Sequence, residues 1–485
     1  MSETINPFER APQAKKLLTL VAIYVCTVFA VMQSSGISIV LPMAAMEFDG
    51  GVAGEAMSLY SLTSSIGGPI SIVLMPLWGY IAARNPHLKR MLVVSSVLIG
   101  GASLLIRGFA TNIFIIIFTG ALWGFVSPGI YVVGFMLIRD MFPANKVGVY
   151  MGLVGTMMAL GSLISPVLTG FVAAISWRAA CHMLWPFFII AALMVLFGVR
   201  ITKAEGEEIA NKSGSIDITG IILTALFLAP LILGISFGNT YIPFGTPVNF
   251  ITFAIALVAL ILLILSIRKK GAASVIPLPA LKDRNTVMLA LSNFFMNFAN
   301  MFVFFFLPSY LLYVRMPTDF GLEPAAWSGI IMAAFAVFGL FLGPIFGKMV
   351  VKAGNARNVL LLGTACRLVF LLIMIVFLNA ETSIWLIIAA ALVLGGVYSV
   401  MASVYTTGVS IMTPPTMRQQ SNAVVQMGQN LGGAPGTAVG GILIAAFGVA
   451  QGMPIAFIVA LVAVVLMFIP TVLLKRPEGY GEDQK

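Results

Sequence analysis

The side chains that could do chemistry in this sequence are mostly uncharged and recur at helical spacing. Asn293, Asn297 and Asn300 stand at i, i+4 and i+7, which is one face of a helix. Asn422, Gln426, Gln429 and Asn430 form a second stripe, and Gln33, Ser34 and Ser38 a third. Tyr398, Tyr405 and Thr406 share one apolar segment, and Trp123 and Tyr131 another. Amides carry donors and acceptors together, and aromatic walls accept flat apolar bodies. A site built from them suits a neutral or weakly polar amphipathic organic molecule. The same amides equally serve as hydrogen-bonded contacts between helices in lipid, and at this level both readings stand. Arg367 lies near the middle of an apolar segment, where a buried charge must pair or face water; it either draws an anion or bonds backbone carbonyls. Arg107 and Arg178 lie near segment ends and read as snorkelling side chains, with either able to steer an anion. His182, one turn after Arg178, has a reference pKa near neutrality; it reads as a proton shuttle or as a hydrogen-bonded structural group. No Asp or Glu lies deep in any apolar segment, which argues against a carrier that titrates a buried carboxylate. With no nucleophile–base pair, metal-ligand cluster or phosphate loop, neither an enzyme nor a cofactor or metal site is expected.

The elements that must position these groups cross a membrane. Of 485 residues, 60% are hydrophobic and only 9% charged, against roughly 25% charged in soluble chains. A span takes about 20 apolar residues. Fourteen such segments are predicted, near 17–41, 57–82, 90–109, 112–138, 146–173, 178–199, 216–236, 248–267, 285–313, 326–350, 358–379, 384–411, 421–446 and 453–474. With the N-terminus on the cytoplasmic side, all 27 Lys and Arg except Arg107, Arg178, Arg315 and Arg367 fall in inner segments and tails, as the positive-inside rule asks. Acidic Glu47, Asp49, Glu55, Asp319, Glu323 and Glu381 then fall outside, and Trp177, Trp327 and Trp385 sit at outer span ends. The net charge of +10 is therefore an orientation signal and not a nucleic-acid footprint. Residues 1–16 are polar, so no cleavable signal peptide is expected. Cys26, Cys181 and Cys366 all fall within apolar segments and read as packing residues.

One stretch, Gly152–Arg178, has the pattern of a packing helix. Gly161, Ser165 and Thr169 recur every fourth residue, Gly152 and Thr156 extend that face, and Pro166 removes a backbone hydrogen bond. Small residues admit close approach of another backbone, which suits a moving contact between two halves or a merely tight helix pair. The chain also repeats itself. Superposing Pro76 on Pro344 places Gly79, Arg84 and Lys89 on Gly347, Lys352 and Arg357. At nearly the same offset Pro166 falls on Pro435, within Gly432, Gly433, Ala434, Pro435 and Gly436. Spans 1–6 thus match spans 9–14, a design known among transporters. The expected division is a six-helix half over 1–199, a connector with two inserted spans over 200–284, and a second six-helix half with a tail over 285–485.

These motifs resemble the major facilitator superfamily, in particular its fourteen-helix drug:proton antiporters. Gly161–Gly170 is similar to the antiporter motif of span 5 and Ser176-Trp177-Arg178 to its sequel. Asp217–Gly220 resembles the start of the inserted seventh span, Pro277–Arg284 the lead-in to span 9, and Ile39–Pro42 the end of span 1. The resemblance implies an all-α polytopic fold in the cytoplasmic (inner) membrane, with both termini cytoplasmic, a monomer, and alternating access for a small organic substrate. It implies that spans 1, 4, 9, 12 and 13 line the cavity, placing Gln33, Ser34, Trp123, Tyr131, Asn293, Asn297, Asn300, Tyr398, Tyr405, Gln426 and Asn430 on its wall. It makes Gly79, Arg84, Lys89, Arg90 and Asp140, with Gly347, Lys352 and Arg357, a cytoplasmic latch. The family's charged machinery is thinned here. Gln33 stands where span 1 carries an Asp, Gly120 where span 4 carries an Arg, Ala83 where the first latch loop carries an Asp, and Ser165 replaces a motif glycine.

Overall fold

In lipid no water satisfies the backbone, so a spanning segment must close its hydrogen bonds internally. The computed structural model describes residues 7–48, 57–210, 216–238, 241–271, 274, 276, 278–414 and 417–476, and these are helical with no strand. Asp49, Glu55 and Pro277 lie outside the described residues. Among the described residues, thirteen helices are long and apolar enough to cross a membrane. Those of the first half are Gln13–Phe48, Leu59–Arg84, Pro86–Gly108, Ile113–Met141, Leu153–Ile175 and Trp177–Phe197. Then come Ile218–Ser236 and Pro247–Lys270, followed by Arg284–Arg315, Pro324–Ala353, Arg357–Phe377, Ile384–Met412 and Gln420–Val472. The last of these, 53 residues long, breaks at Gly448, whose φ of 74° and ψ of 166° only glycine adopts without strain. It is therefore two spans, and the count is fourteen, numbered here spans 1–14.

Local sequence sets the helix starts. The side chains of Asn112, Asp217, Thr246 and Asp283 accept from the backbone N–H three residues on, capping spans 4, 7, 8 and 9. Wide π-helical turns interrupt spans 4, 9 and 12 at Pro128–Gly134, Leu311–Arg315 and Ala391–Gly395. A short surface helix, Lys203–Ile209, follows span 6 behind a capping box of Thr202 and Glu205.

The spans bury three principal cores. One joins residues of spans 1–6 and the segments that flank them, including Ile23, Cys26, Val93, Val133, Ile138 and Val195. Another joins residues of spans 9–14 only, including Leu289, Val350, Leu360, Val404, Tyr405 and Val425. The third is shared: Ile39, Leu41, Tyr60 and Trp177 pack with Phe302, Phe306, Ile331, Phe335 and Phe457. On span 1 the shared core begins at Ile37, toward the end remote from the N-terminus, and the separate core lies nearer that terminus. The two sets of six spans are thus sealed together on the face away from the termini and packed separately on the face that carries them. Consistently, the hydroxyl of Tyr313 on span 9 donates to the carbonyl of Pro42 on span 1 at 2.6 Å, on the sealed side.

Candidate functional site

The small-residue stretch packs in two directions. Gly161, Ser165 and Thr169 meet span 1 in register. A Cβ at Gly161 would stand 2.8 Å from the Val28 carbonyl oxygen, Ser165 Oγ donates to the Met32 carbonyl at 2.5 Å, and Thr169 lies against Gly36. Span 13 repeats the pattern on span 9, where Gly428, Gly432 and Gly436 face the backbone of Ala290, Phe294 and Phe298. Each stripe therefore ties helices of one six-span set. The contact between sets comes from the adjoining face: Pro166 and Gly170 abut span 10, and a Cβ at Gly170 would sit 2.6 Å from the Ala325 carbonyl oxygen and 3.0 Å from Gly329 Cα. The pseudo-equivalent seam is looser. Gly433 has open space, and a Cβ at Gly68 of span 2 would lie 3.5 Å from that of Ala434. Pro435 is half-buried beside it. Gly152 lies in the span-5 helix, and its surroundings are outside those described. Gly428, Gly36 and Gly329 did not emerge from the sequence; Gly428 was readable as the first member of the span-13 repeat, and Gly329 becomes visible only once span 10 meets span 5.

On the terminal face, Lys89 is almost fully buried, 2.5 Å from Asp140 Oδ2 and 5.5 Å above the ring of Phe8. Arg90 donates to the Leu196 carbonyl at 2.8 Å, and Arg84 to the Tyr80 hydroxyl. Gly79 is half-buried, with Val132 as its neighbour. These contacts lie within the first six spans. In the second set, Gly347 and Lys352 line a shallow recess with Pro344 and Thr407, and Arg357 follows Asn355, which caps its backbone N–H at 2.8 Å.

The amides of span 9 are held by neighbours. Asn293, buried, donates through Nδ2 to the Val425 carbonyl of span 13 at 2.9 Å. Asn297 Nδ2 donates to Asn293 Oδ1 at 3.0 Å and to the Asn293 carbonyl at 3.1 Å. Asn300 Oδ1 accepts from Arg367 Nη2 at 3.1 Å. Tyr398 donates to the Met296 carbonyl at 2.8 Å, and Tyr405 shares a 2.6 Å hydrogen bond with Ser292; both rings are buried between spans 9 and 12. The structure thus gathers Asn293, Asn297, Asn300, Tyr398 and Arg367 around one side of span 9. Gln426 and Asn430 are half-buried on span 13, Gln33 is buried on span 1, and Ser34 is exposed, bonded to the Ala30 carbonyl at 3.0 Å. Trp123 and Tyr131 make edge contacts with Phe188 and Phe135, each at 5.8 Å.

The arginines depart from their sequence reading. Arg107 does not snorkel: it is 1% exposed, and its Nε donates to Thr119 Oγ1 of span 4 at 2.8 Å. It lies on the face of span 3 packed against span 4, which hydropathy does not reveal. Arg367 bonds a side-chain amide where backbone carbonyls were expected. Its guanidinium lies 4.6 Å over the Tyr398 ring and 5.4 Å over Phe370, and its Nε and Nη1 have no hydrogen-bond partner among the described residues. Arg178 pairs with Glu47 and donates to the Ala110 carbonyl at 3.0 Å, while Trp177 Nε1 donates to Glu47 Oε2 at 2.7 Å. This ties spans 1 and 6 to the turn before span 4 at the sealed face. His182 lies against Gly108, its ring 4.6 Å from that of Phe109. Of the tryptophans expected at the outer ends, Trp327 donates to the Asp319 carbonyl at 3.0 Å, and Trp385 is exposed beside it.

Fourteen spans with glycine-tight contacts inside both six-span sets make a polytopic helical membrane fold. The family model described as Major Facilitator Superfamily matches residues 23–322 and 289–485, and the chain belongs to that superfamily. It is 24% identical over 303 residues to the MFS-type efflux transporter pyiT of Pyricularia grisea, covering 62% of this chain and 48% of that protein. It is 24% identical over 348 residues to the multidrug transporter protein MdtP of Bacillus subtilis, covering 70% of this chain and 60% of that one. The match thus spans about half to three-fifths of these relatives' length. Among solved structures, the nucleoside transporter NupG superposes with a TM-score of 0.66 at 12% identity, covering 96% of this chain and 100% of that one, a likeness of fold.

Proposed function

We propose that the chain exports a small amphipathic organic compound by alternating access. The units 1–199 and 285–485 would rock about the seam, and 200–284 would connect them. In this reading the termini are cytoplasmic, the membrane is the inner one, and the working unit is a monomer. The observation that carries it is the pair of separate cores on the terminal face against the shared core on the other. Substrate would enter from the terminal face and meet Gln33, Ser34, Asn297, Asn300, Gln426 and Asn430. The basic groups near Lys89 and Lys352 would close that face in the alternate state. The relatives named as efflux and multidrug transporters support the direction. A second reading, a facilitator or uptake carrier without proton coupling, draws on the lack of any acidic residue deep in a span.

Accumulation of a mixed drug and metabolite panel, in cells with and without the protein, separates the two. Lower accumulation that collapses with a protonophore supports export. Equilibration that ignores the protonophore supports the facilitator. In either case Asn297→Leu is expected to cut transport about tenfold at unchanged expression, from loss of a buried amide and its hydrogen bonds to Asn293. Full activity in that variant removes span 9 from the site.

A further inference from the structure

The inserted spans are anchored unevenly. Away from the termini, Ile232 of span 7 packs with Leu62 of span 2 and Ala434 of span 13. Spans 7 and 8 are tied there by Asn249, whose Nδ2 donates to the Gly234 carbonyl at 3.1 Å. At the terminal end they are tied by Lys270, 2.5 Å from Asp217. Between these ties a cavity of about 170 Å³ remains, bounded by spans 2, 7, 8 and 13, with Ile72, Thr224, Leu263, Ile264, Ile267 and Leu431 on its wall. Thr224 is the one polar group in the lining, and its hydroxyl already donates to the Gly220 carbonyl at 2.7 Å. Ile264 is 43% exposed, so the wall on that side is open to the bilayer. Ile267 of the lining stands immediately before Arg268 and Lys269, both exposed, while Lys270 is engaged by Asp217, and Ile276 beyond them also faces the cavity.

We propose that this cavity holds a segment of one acyl chain of an anionic phospholipid from the leaflet on the terminal side, the rest of the chain lying along the open wall at Ile264, with its phosphate against Arg268 and Lys269. Size selects a chain segment: drug-sized ligands occupy about 300–1,000 Å³, and this cavity is smaller but open toward the bilayer, so only part of a longer chain fits inside it. The lining selects an apolar occupant, since it offers no unused hydrogen bond. From Leu260 to Ile267 it runs roughly 10 Å along the helix axis, the reach of a chain segment that enters from the headgroup level. Charge selects the headgroup, because basic residues at the interface draw anionic lipid. The chain would fill the wedge between the inserted pair and the seam formed by spans 2 and 13.

Purified full-length protein is mixed with dioleoyl phosphatidylglycerol and dioleoyl phosphatidylcholine, and bound lipid is counted by native mass spectrometry. Wild type is expected to retain one phosphatidylglycerol through detergent removal, preferred about tenfold over phosphatidylcholine. Ile264→Trp, which fills the cavity from its exposed wall, is expected to lose that adduct and keep looser ones. Leu260→Phe serves the same purpose should Ile264→Trp not fold. Arg268→Gln with Lys269→Gln is expected to keep a lipid while losing the headgroup preference. A wild-type adduct pattern in the folded cavity-filling variant overturns the proposal. So does equal retention of the two lipids by wild type, or displacement of the adduct by inorganic phosphate, which would mark a free-anion site at the basic run.

Discussion

Replacing Asn300 by Leu is expected to destabilise the protein by about 1.5–3 kcal/mol, the worth of a hydrogen bond to a buried charged group. Arg367 is fully buried, and Asn300 Oδ1 is the hydrogen-bond acceptor that reaches its guanidinium. The rings of Tyr398 and Phe370 give it cation–π contact, but a ring face does not replace an oxygen acceptor. Arg367→Met alone is expected to be near neutral or stabilising, since an apolar side chain of similar length removes the desolvated charge altogether. The double variant Asn300→Leu/Arg367→Met should therefore recover most of the loss, and a double-mutant cycle isolates the coupling. Thermal unfolding followed by size-exclusion in detergent measures all four proteins. If Asn300→Leu melts with wild type, Arg367 draws its support from another group. The cycle also separates structure from transport: a double variant that folds well yet fails to transport, where Arg367→Met alone transports, places Asn300 in the site for a reason other than holding Arg367.

What the sequence could and could not disclose follows from the physics of lipid. Spans are legible because each must be about 20 apolar residues long whatever it packs against. Even the break between the last two spans, at Gly448, is anticipated by the hydropathy gap near 446–453. Which face of a span meets a neighbour is much less legible, since apolar side chains face lipid and protein alike. Arg107 therefore reads as a snorkelling residue although it is buried against Thr119. The Asn293, Asn297 and Asn300 stripe was visible at once. That Asn293 is spent on the Val425 carbonyl and Asn300 on Arg367 was not, because those partners lie on spans 13 and 11. Small residues at four-residue spacing gave the stripe Gly161, Ser165 and Thr169, but not which helix it meets. The stripe binds span 1, and the neighbouring Pro166 and Gly170 make the contact that crosses the seam.

That difference sets the second large effect. Gly432 and Gly329 are both pressed on backbone, yet substitution should fail differently. A side chain at Gly432 collides with the Phe294 carbonyl inside one six-span set, a contact the fold cannot do without in any state. Gly432→Leu is therefore expected to abolish folded protein. A side chain at Gly329 meets the Pro166 carbonyl and lies 3.2 Å from Gly170 Cα, across the seam and on the sealed face. Gly329→Leu should leave each set intact and penalise only the sealed conformation. An overpacking cost of about 3 kcal/mol shifts that equilibrium more than a hundredfold, so the carrier rests open on the face away from the termini and transport stops. Ala44, fully buried in the shared core, reports the change. In a background lacking Cys26, Cys181 and Cys366, Ala44→Cys should resist a membrane-impermeant maleimide when Gly329 is present and react at least about tenfold faster in Gly329→Leu. Wild-type transport by Gly329→Leu would mean that the seam between spans 5 and 10 does not move. Loss of folded protein would mean that it belongs to the permanent core, and the rocking units would have to be redrawn to keep spans 5 and 10 together.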